Sequence, residues 1–195
     1  MKEENKSTLK MVILAIFFIV IILIYFNSLG NKSSEPRSEK AETEVEQLSN
    51  YDMVGNYPKT PRDVVKLHNR YLEMFYGEES VSDDELYILN QQVRNLYSSE
   101  LLALNNENTN LQNLDNSIDK MKKEGYIYKT YELPEASQII YYTQNGVEMA
   151  TMEVTVTVDM EKEKSMGYLY IQYVLVKENE QWKILAWGET KMGQN

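Results

Sequence analysis

The chain has no cysteine, a single histidine, four prolines and only 20 basic residues against 30 acidic ones in 195 positions. Each shortage closes a class of functions. Without cysteine there is no disulfide staple, thiolate zinc site, iron–sulfur cluster or cysteine nucleophile. One histidine then leaves only carboxylates to hold a metal, so no metal or cofactor is expected. The acidic run Asp83-Asp84-Glu85 lacks the alternating acids and turn glycine of a calcium loop and reads instead as the start of a helix. A net charge of −10 argues against nucleic acid as a partner, because phosphate contacts require concentrated Lys and Arg. No G-x-G-x-x-G, P-loop or G-x-S-x-G sequence occurs. A mean hydropathy of −0.50 excludes a polytopic membrane protein. Fifteen tyrosines in a chain that is 11% aromatic exclude a wholly disordered acidic one.

What is present is concentrated at two places. Residues 11–26 (MVILAIFFIVIILIYF) are sixteen consecutive apolar residues, and 21 uncharged residues separate Lys10 from Lys32. At ~1.5 Å per residue these 21 cover the ~30 Å hydrocarbon core of a bilayer. Only a helix satisfies its backbone inside lipid, so a transmembrane helix is expected over residues 11–30, with the bilayer as a partner. A cleaved signal peptide is the rival reading. Its apolar core is usually ~7–15 residues and ends in small residues, which this block exceeds and lacks. Lys10 abutting the helix and the short tail 1–10 favour a cytoplasmic N-terminus in the cell membrane and an extracytoplasmic C-terminal domain, although Lys32, Arg37 and Lys40 weaken the contrast. The first thirty residues hold three of the 20 basic and two of the 30 acidic side chains, so the remainder is more acidic than the average, at 17 against 28.

Residues 31–57 are polar, with Val45, Leu48 and Met53 as isolated aliphatics, and read as a flexible linker with a helical patch near 39–48. Periodicity begins at Thr60-Pro61-Arg62-Asp63, an N-cap with proline at the first helical position. Val64, Leu67, His68, Tyr71, Leu72 and Phe75 follow at helical spacing, up to Gly77. Ser82 with Glu85 forms a capping box ahead of Leu86, Leu89, Val93, Leu96 and Tyr97. Leu101, Leu102 and Leu104 either extend that helix or make a short turn of their own. After an Asn-rich loop at 105–110, Leu111, Leu114, Ile118 and Met121 define a third helix ended by Gly125. The period then falls from 3.6 to 2. Strands are expected over 126–133, 138–143, 147–159, 167–177 and 181–188, with Asn145-Gly146 as a hairpin turn. The fold class is therefore α+β: a transmembrane helix, then three helices packed on a curved antiparallel sheet of four to five strands, with the domain at 58–190 and a tail at 191–195.

This layout resembles the nuclear-transport-factor-2-like (cystatin-like cone) superfamily. The final run Gln181-Trp182-Lys183-Ile184-Leu185-Ala186-Trp187 is similar to the last strand of that superfamily, and Leu96-Tyr97-Ser98-Ser99-Glu100-Leu101-Leu102 to its second-helix region. With the membrane anchor, the whole is similar to uncharacterised single-pass proteins of Gram-positive bacteria and to bitopic scaffold subunits of conjugation and type IV secretion machines. The resemblance implies a pocket between the first helix and the concave sheet.

Acid–base chemistry in such a pocket needs a titratable group and an orienting partner. His68, on the apolar stripe of the first helix, is the candidate, and a ligand pocket is expected at His68, Tyr71 and Tyr170. No neighbouring acid completes a catalytic pair, so no catalytic residue is assigned. Tyr141, Tyr142 and Trp187 are candidates for an interface, tyrosine and tryptophan being frequent binding hot spots. The expected function is a membrane-anchored, non-catalytic protein that presents its domain for protein binding or self-association. The alternatives are a component of a conjugation machine, and a small-ligand-binding or isomerase/dehydratase-like cone using His68.

Overall fold

The computed structural model describes residues 42–79 and 81–190. The tail 1–10, the apolar run 11–30, the first part of the expected linker and the tail 191–195 lie outside the described residues. Among the described residues no helix is long and apolar enough to cross a membrane. The chain divides into two units, Met1–Glu42 and Thr43–Asn195, and the second is the one described here.

Among the described residues five helices precede the sheet where three were expected: α1 (Glu44–Ser49), α2 (Pro61–Tyr76), α3 (Asp83–Arg94), α4 (Ser99–Leu104) and α5 (Glu107–Glu124). The cap residues explain the boundaries. The Thr60 side chain accepts from the Asp63 backbone N–H, and Ser82 and Glu85 make their capping box. The residues Leu96 and Tyr97 fall beyond α3, because Ser98 caps a new helix at Ser99. Asn106 caps α5, so most of the expected Asn-rich loop is its first turn. Gly125, at φ 74°, closes α5 in the left-handed region that a Cβ disfavours.

The expected linker is corrected at its C-terminal end, because the folded unit begins at Thr43 rather than at 58. Thr43 and Glu46 form a capping box for α1, Leu48 is fully buried, and its carbonyl accepts from the Tyr71 hydroxyl at 3.0 Å. Glu44 pairs with Arg70 at 2.6 Å, and the Tyr57 hydroxyl donates to the Trp182 carbonyl at 2.8 Å. A six-residue helix that buries one leucine shows no periodicity, so composition alone made it look like a spacer.

The sheet contains β1 (Tyr126–Glu132), β2 (Ile140–Gln144), β3 (Val147–Met160), β4 (Ser165–Glu178) and β5 (Gln181–Glu189), all antiparallel, in the order β1-β3-β4-β5 with β2 also on β3. β4 occupies one edge of β3 along its length, so β1 and β2 share the other: β1 opposite residues 155–160, β2 opposite 147–151. Asn145 and Gly146, with φ of 53° and 81°, make the β2–β3 turn. The inward row of β3, Ala150, Met152, Val154, Val156 and Val158, is almost fully buried and packs in one core with Val64, Leu67 and Tyr71 of α2. Two register shifts interrupt the ladders. One falls between Tyr128 and Thr130 in β1, the other between Val174 and Leu175 of β4 where β5 pairs. The second sets Ile184 opposite Leu175 but Trp187 opposite Tyr173, so Leu185 is the extra residue of a bulge. Ile184 and Trp187, three apart in sequence, therefore reach the same face.

Candidate functional site

The inward face of the sheet and the helices line an open cavity of about 510 Å³, within the ~300–1,000 Å³ range usual for small-molecule sites. One wall is helical: Leu72, Phe75 and Tyr76 from α2, and Leu114, Ser117 and Met121 from α5. The opposite wall is the sheet: Tyr128, Val156, Val158, Leu169, Ile171 and Trp187. Lys120, Glu124 and Glu189 also line it and are exposed, which puts the charges at the mouth. The bulge in β5 is what turns Trp187 and Glu189 toward this side.

Inside, the titratable groups are phenols. Burial pushes Tyr76, Tyr97 and Tyr128 up from the ordinary tyrosine range, so they stay protonated. The Ser117 hydroxyl donates to the Leu114 carbonyl at 2.8 Å, leaving its oxygen to accept from Tyr76 at 2.7 Å. Two amides differ from these satisfied groups. Asn90, only 2% exposed on α3, has no hydrogen-bond partner for Nδ2, and Asn110 on α5 has none for Oδ1. Both residues line the cavity. A third such atom, Nε2 of Gln91, belongs to a residue that does not line it. Buried polar groups are nearly always paired, so two orphans in one cavity are informative.

The structure does not assemble the expected pocket of His68, Tyr71 and Tyr170. His68 is fully buried behind the cavity wall, against Trp187 (ring centroids 4.8 Å apart), Tyr97 (5.8 Å) and Tyr173 (5.6 Å). Its Nδ1 lies 2.9 Å from the Tyr173 hydroxyl. That hydroxyl accepts from Asn69 Nδ2 at 3.1 Å, while Asn69 Oδ1 accepts from the Tyr128 hydroxyl at 2.9 Å. With Nδ1 as the acceptor of the Tyr173 hydroxyl, the hydrogen of the neutral ring sits on Nε2, 3.5 Å from the Tyr97 hydroxyl. Desolvation pushes the His68 pKa down to about 3. No carboxylate touches it in this network, so the geometry makes it a structural core histidine. Tyr71 is spent on the Leu48 carbonyl. Tyr170 pairs opposite Thr155, on the outer side of the sheet, and its carbonyl accepts from Thr190 at 2.8 Å. Its neighbours Leu169 and Ile171 are the ones that face the cavity. β4 is apolar on both faces, so nothing in its sequence marked which parity points inward.

The expected interface also separates. Trp187 lines the cavity. Tyr141 and Tyr142 sit on β2, whose five residues are all exposed, and they point to opposite faces. Tyr141 stacks edge-on against Trp182 at 5.9 Å. Asn90 and Asn110 were not singled out from sequence. Their only signal was an amide at a core-facing helical position and one in an Asn-rich stretch, which capping explains equally well.

Comparison with known proteins adds family membership. No curated protein matches the chain. Among solved structures, TraH from the Gram-positive conjugative plasmid pIP501 is similar at 14% identity and a TM-score of 0.39, covering 71% of this chain and 99% of TraH. The intermembrane-space region of the chloroplast protein ARC6 is similar at 11% identity and a TM-score of 0.30, covering 68% of this chain and 98% of that one. Residues 1–187 match the family described as Domain of unknown function (DUF6715), and the chain belongs to that family.

Proposed function

We propose that the unit Thr43–Asn195 is a non-catalytic binding module that takes a small, mainly apolar molecule into the cavity between α2, α5 and the inward face of the sheet. The observation that carries this reading is the cavity itself: about 510 Å³, walled by aromatic and aliphatic side chains, with charges only at its exposed mouth. The phenols kept protonated along its walls and the occupied His68 suit binding rather than proton transfer. The test uses the full chain in detergent micelles with the neutral probe N-phenyl-1-naphthylamine. The expected result is saturable binding that Leu169→Trp weakens at least tenfold in the same micelles while circular dichroism is unchanged. Equal binding by both proteins would overturn the reading.

A second reading, protein docking, is favoured by β2. Among the described residues its outer edge is unpaired, all five of its residues are exposed, and no charge interrupts residues 139–147. The occupant that fits is an extended polypeptide segment adding a strand, read by backbone hydrogen bonds and by Ile140 and Tyr142 on one face. The apolar run 11–30 supports presentation of this module from the cell membrane on the extracytoplasmic side. A place in a conjugation machine rests on the resemblance of the sequence layout alone.

A further inference from the structure

We infer that the ligand of this cavity is a neutral amphiphile with an apolar body and a carboxamide-like polar end, held by Asn90 and Asn110. The inference rests on the cavity being the binding site and adds the chemistry of the ligand. Asn90 Nδ2 is a buried donor and Asn110 Oδ1 a buried acceptor; neither has a partner, and both residues line the cavity. An amide satisfies both kinds of group at once, its carbonyl accepting from one asparagine and its N–H donating to the other.

Charged and purely apolar ends fit less well. A carboxylate only accepts, so it leaves the Asn110 oxygen orphaned. The charged residues lining the cavity are one lysine and two glutamates, all exposed, so no buried cation neutralises an anion inside. An ammonium only donates and leaves the Asn90 donor orphaned. A pure hydrocarbon fills the walls and leaves both amides desolvated, the costliest outcome for a buried polar group. The apolar body lies against the apolar part of the lining, Phe75, Leu114, Leu169 and Trp187 among it.

The test compares three probes of one shape on the full chain in detergent micelles, read through tryptophan fluorescence, to which Trp187 contributes from the cavity wall. They are 3-phenylpropanamide, 3-phenylpropanoate and the hydrocarbon isopentylbenzene. Asn90→Leu is measured in the same micelles, so that uptake by detergent cancels. The wild type is expected to bind the amide about 10–100-fold more tightly, relative to the variant, than it binds the hydrocarbon, the factor for one or two hydrogen bonds to otherwise orphaned groups. In Asn90→Leu the order reverses in favour of the hydrocarbon. If hydrocarbon and amide show the same wild-type-to-variant ratio, the carboxamide inference fails while the cavity stands. A carboxylate preferred over the amide overturns it as well. If no probe binds either protein, the cavity reading fails with it.

Discussion

Two groups of polar side chains lie in the interior of this domain, and they differ in one respect. Around α2, His68, Asn69, Tyr128 and Tyr173 close a network in which every hydroxyl and the Asn69 amide have a named partner. Along the cavity, Asn90 is buried and Asn110 half-buried, each with one buried polar atom that has no partner. Both groups sit beside similar apolar side chains, so composition does not separate them. Pairing does: a completed network specifies the core, whereas an incomplete one facing a cavity is where an outside molecule improves the energy.

The contrast can be broken most forcefully from the completed side. Asn69→Leu keeps the volume but strands the Tyr128 hydroxyl and takes the donor from Tyr173. It should destabilise the fold by about 3 kcal/mol, as one or two orphaned buried groups would, read from denaturant midpoints at constant slope. A loss near zero would mean that the network is not tight.

Acid should expose the same cluster. His68 has its pKa lowered to about 3 in the folded state by burial, against ~6.5 in an unfolded chain. Between these values the unfolded state binds a proton that the folded state does not. Stability is thus complete above about 6.5 and falls as pH drops toward 3, by up to about 1.4 kcal/mol per pH unit from this one group. The gap in stability between the wild type and His68→Gln should therefore narrow between pH 7 and pH 5. A constant gap would place the proton elsewhere.

On the incomplete side the sign reverses. Asn90→Leu removes an unpaired buried amide and should leave the free protein unchanged or more stable by about 1 kcal/mol, measured by thermal unfolding. A loss of 2 kcal/mol or more would show that Asn90 is satisfied after all and would remove the contrast. The smallest effect belongs to the sheet edge. Ile140→Lys on β2 should change stability by less than about 0.5 kcal/mol while suppressing any strand addition there, seen as loss of association in sedimentation. A large destabilisation would mean that this edge is packed.

Much of the architecture was readable because it is local. Caps at Thr60 and Ser82, the left-handed stop at Gly125, the Asn145-Gly146 turn and the alternating row of β3 each depend on residues within a few positions. The same locality explains the misses. Leu48 is buried by a contact with Tyr71 twenty-three positions away, so α1 looked like linker. Leu101, Leu102 and Leu104 form their own short helix because Ser98 caps it.

The sequence by itself determined that helices precede strands, which row of β3 is apolar, that cysteine chemistry is excluded, and that residues 11–26 are an unbroken apolar run. Only the tertiary structure decided which side chains meet. Strict alternation along β5 would send Trp182 and Trp187, five residues apart, to opposite faces. The bulge at Leu185 turns Trp187 onto the inward side, where it joins the cavity. One extra residue inverts the facing of all that follow it, and whether a strand accommodates one depends on its partner strand. Whether a buried polar atom is paired depends in the same way on groups far along the chain. That is why His68 stood out in the sequence, and why Asn90 became visible only in the fold.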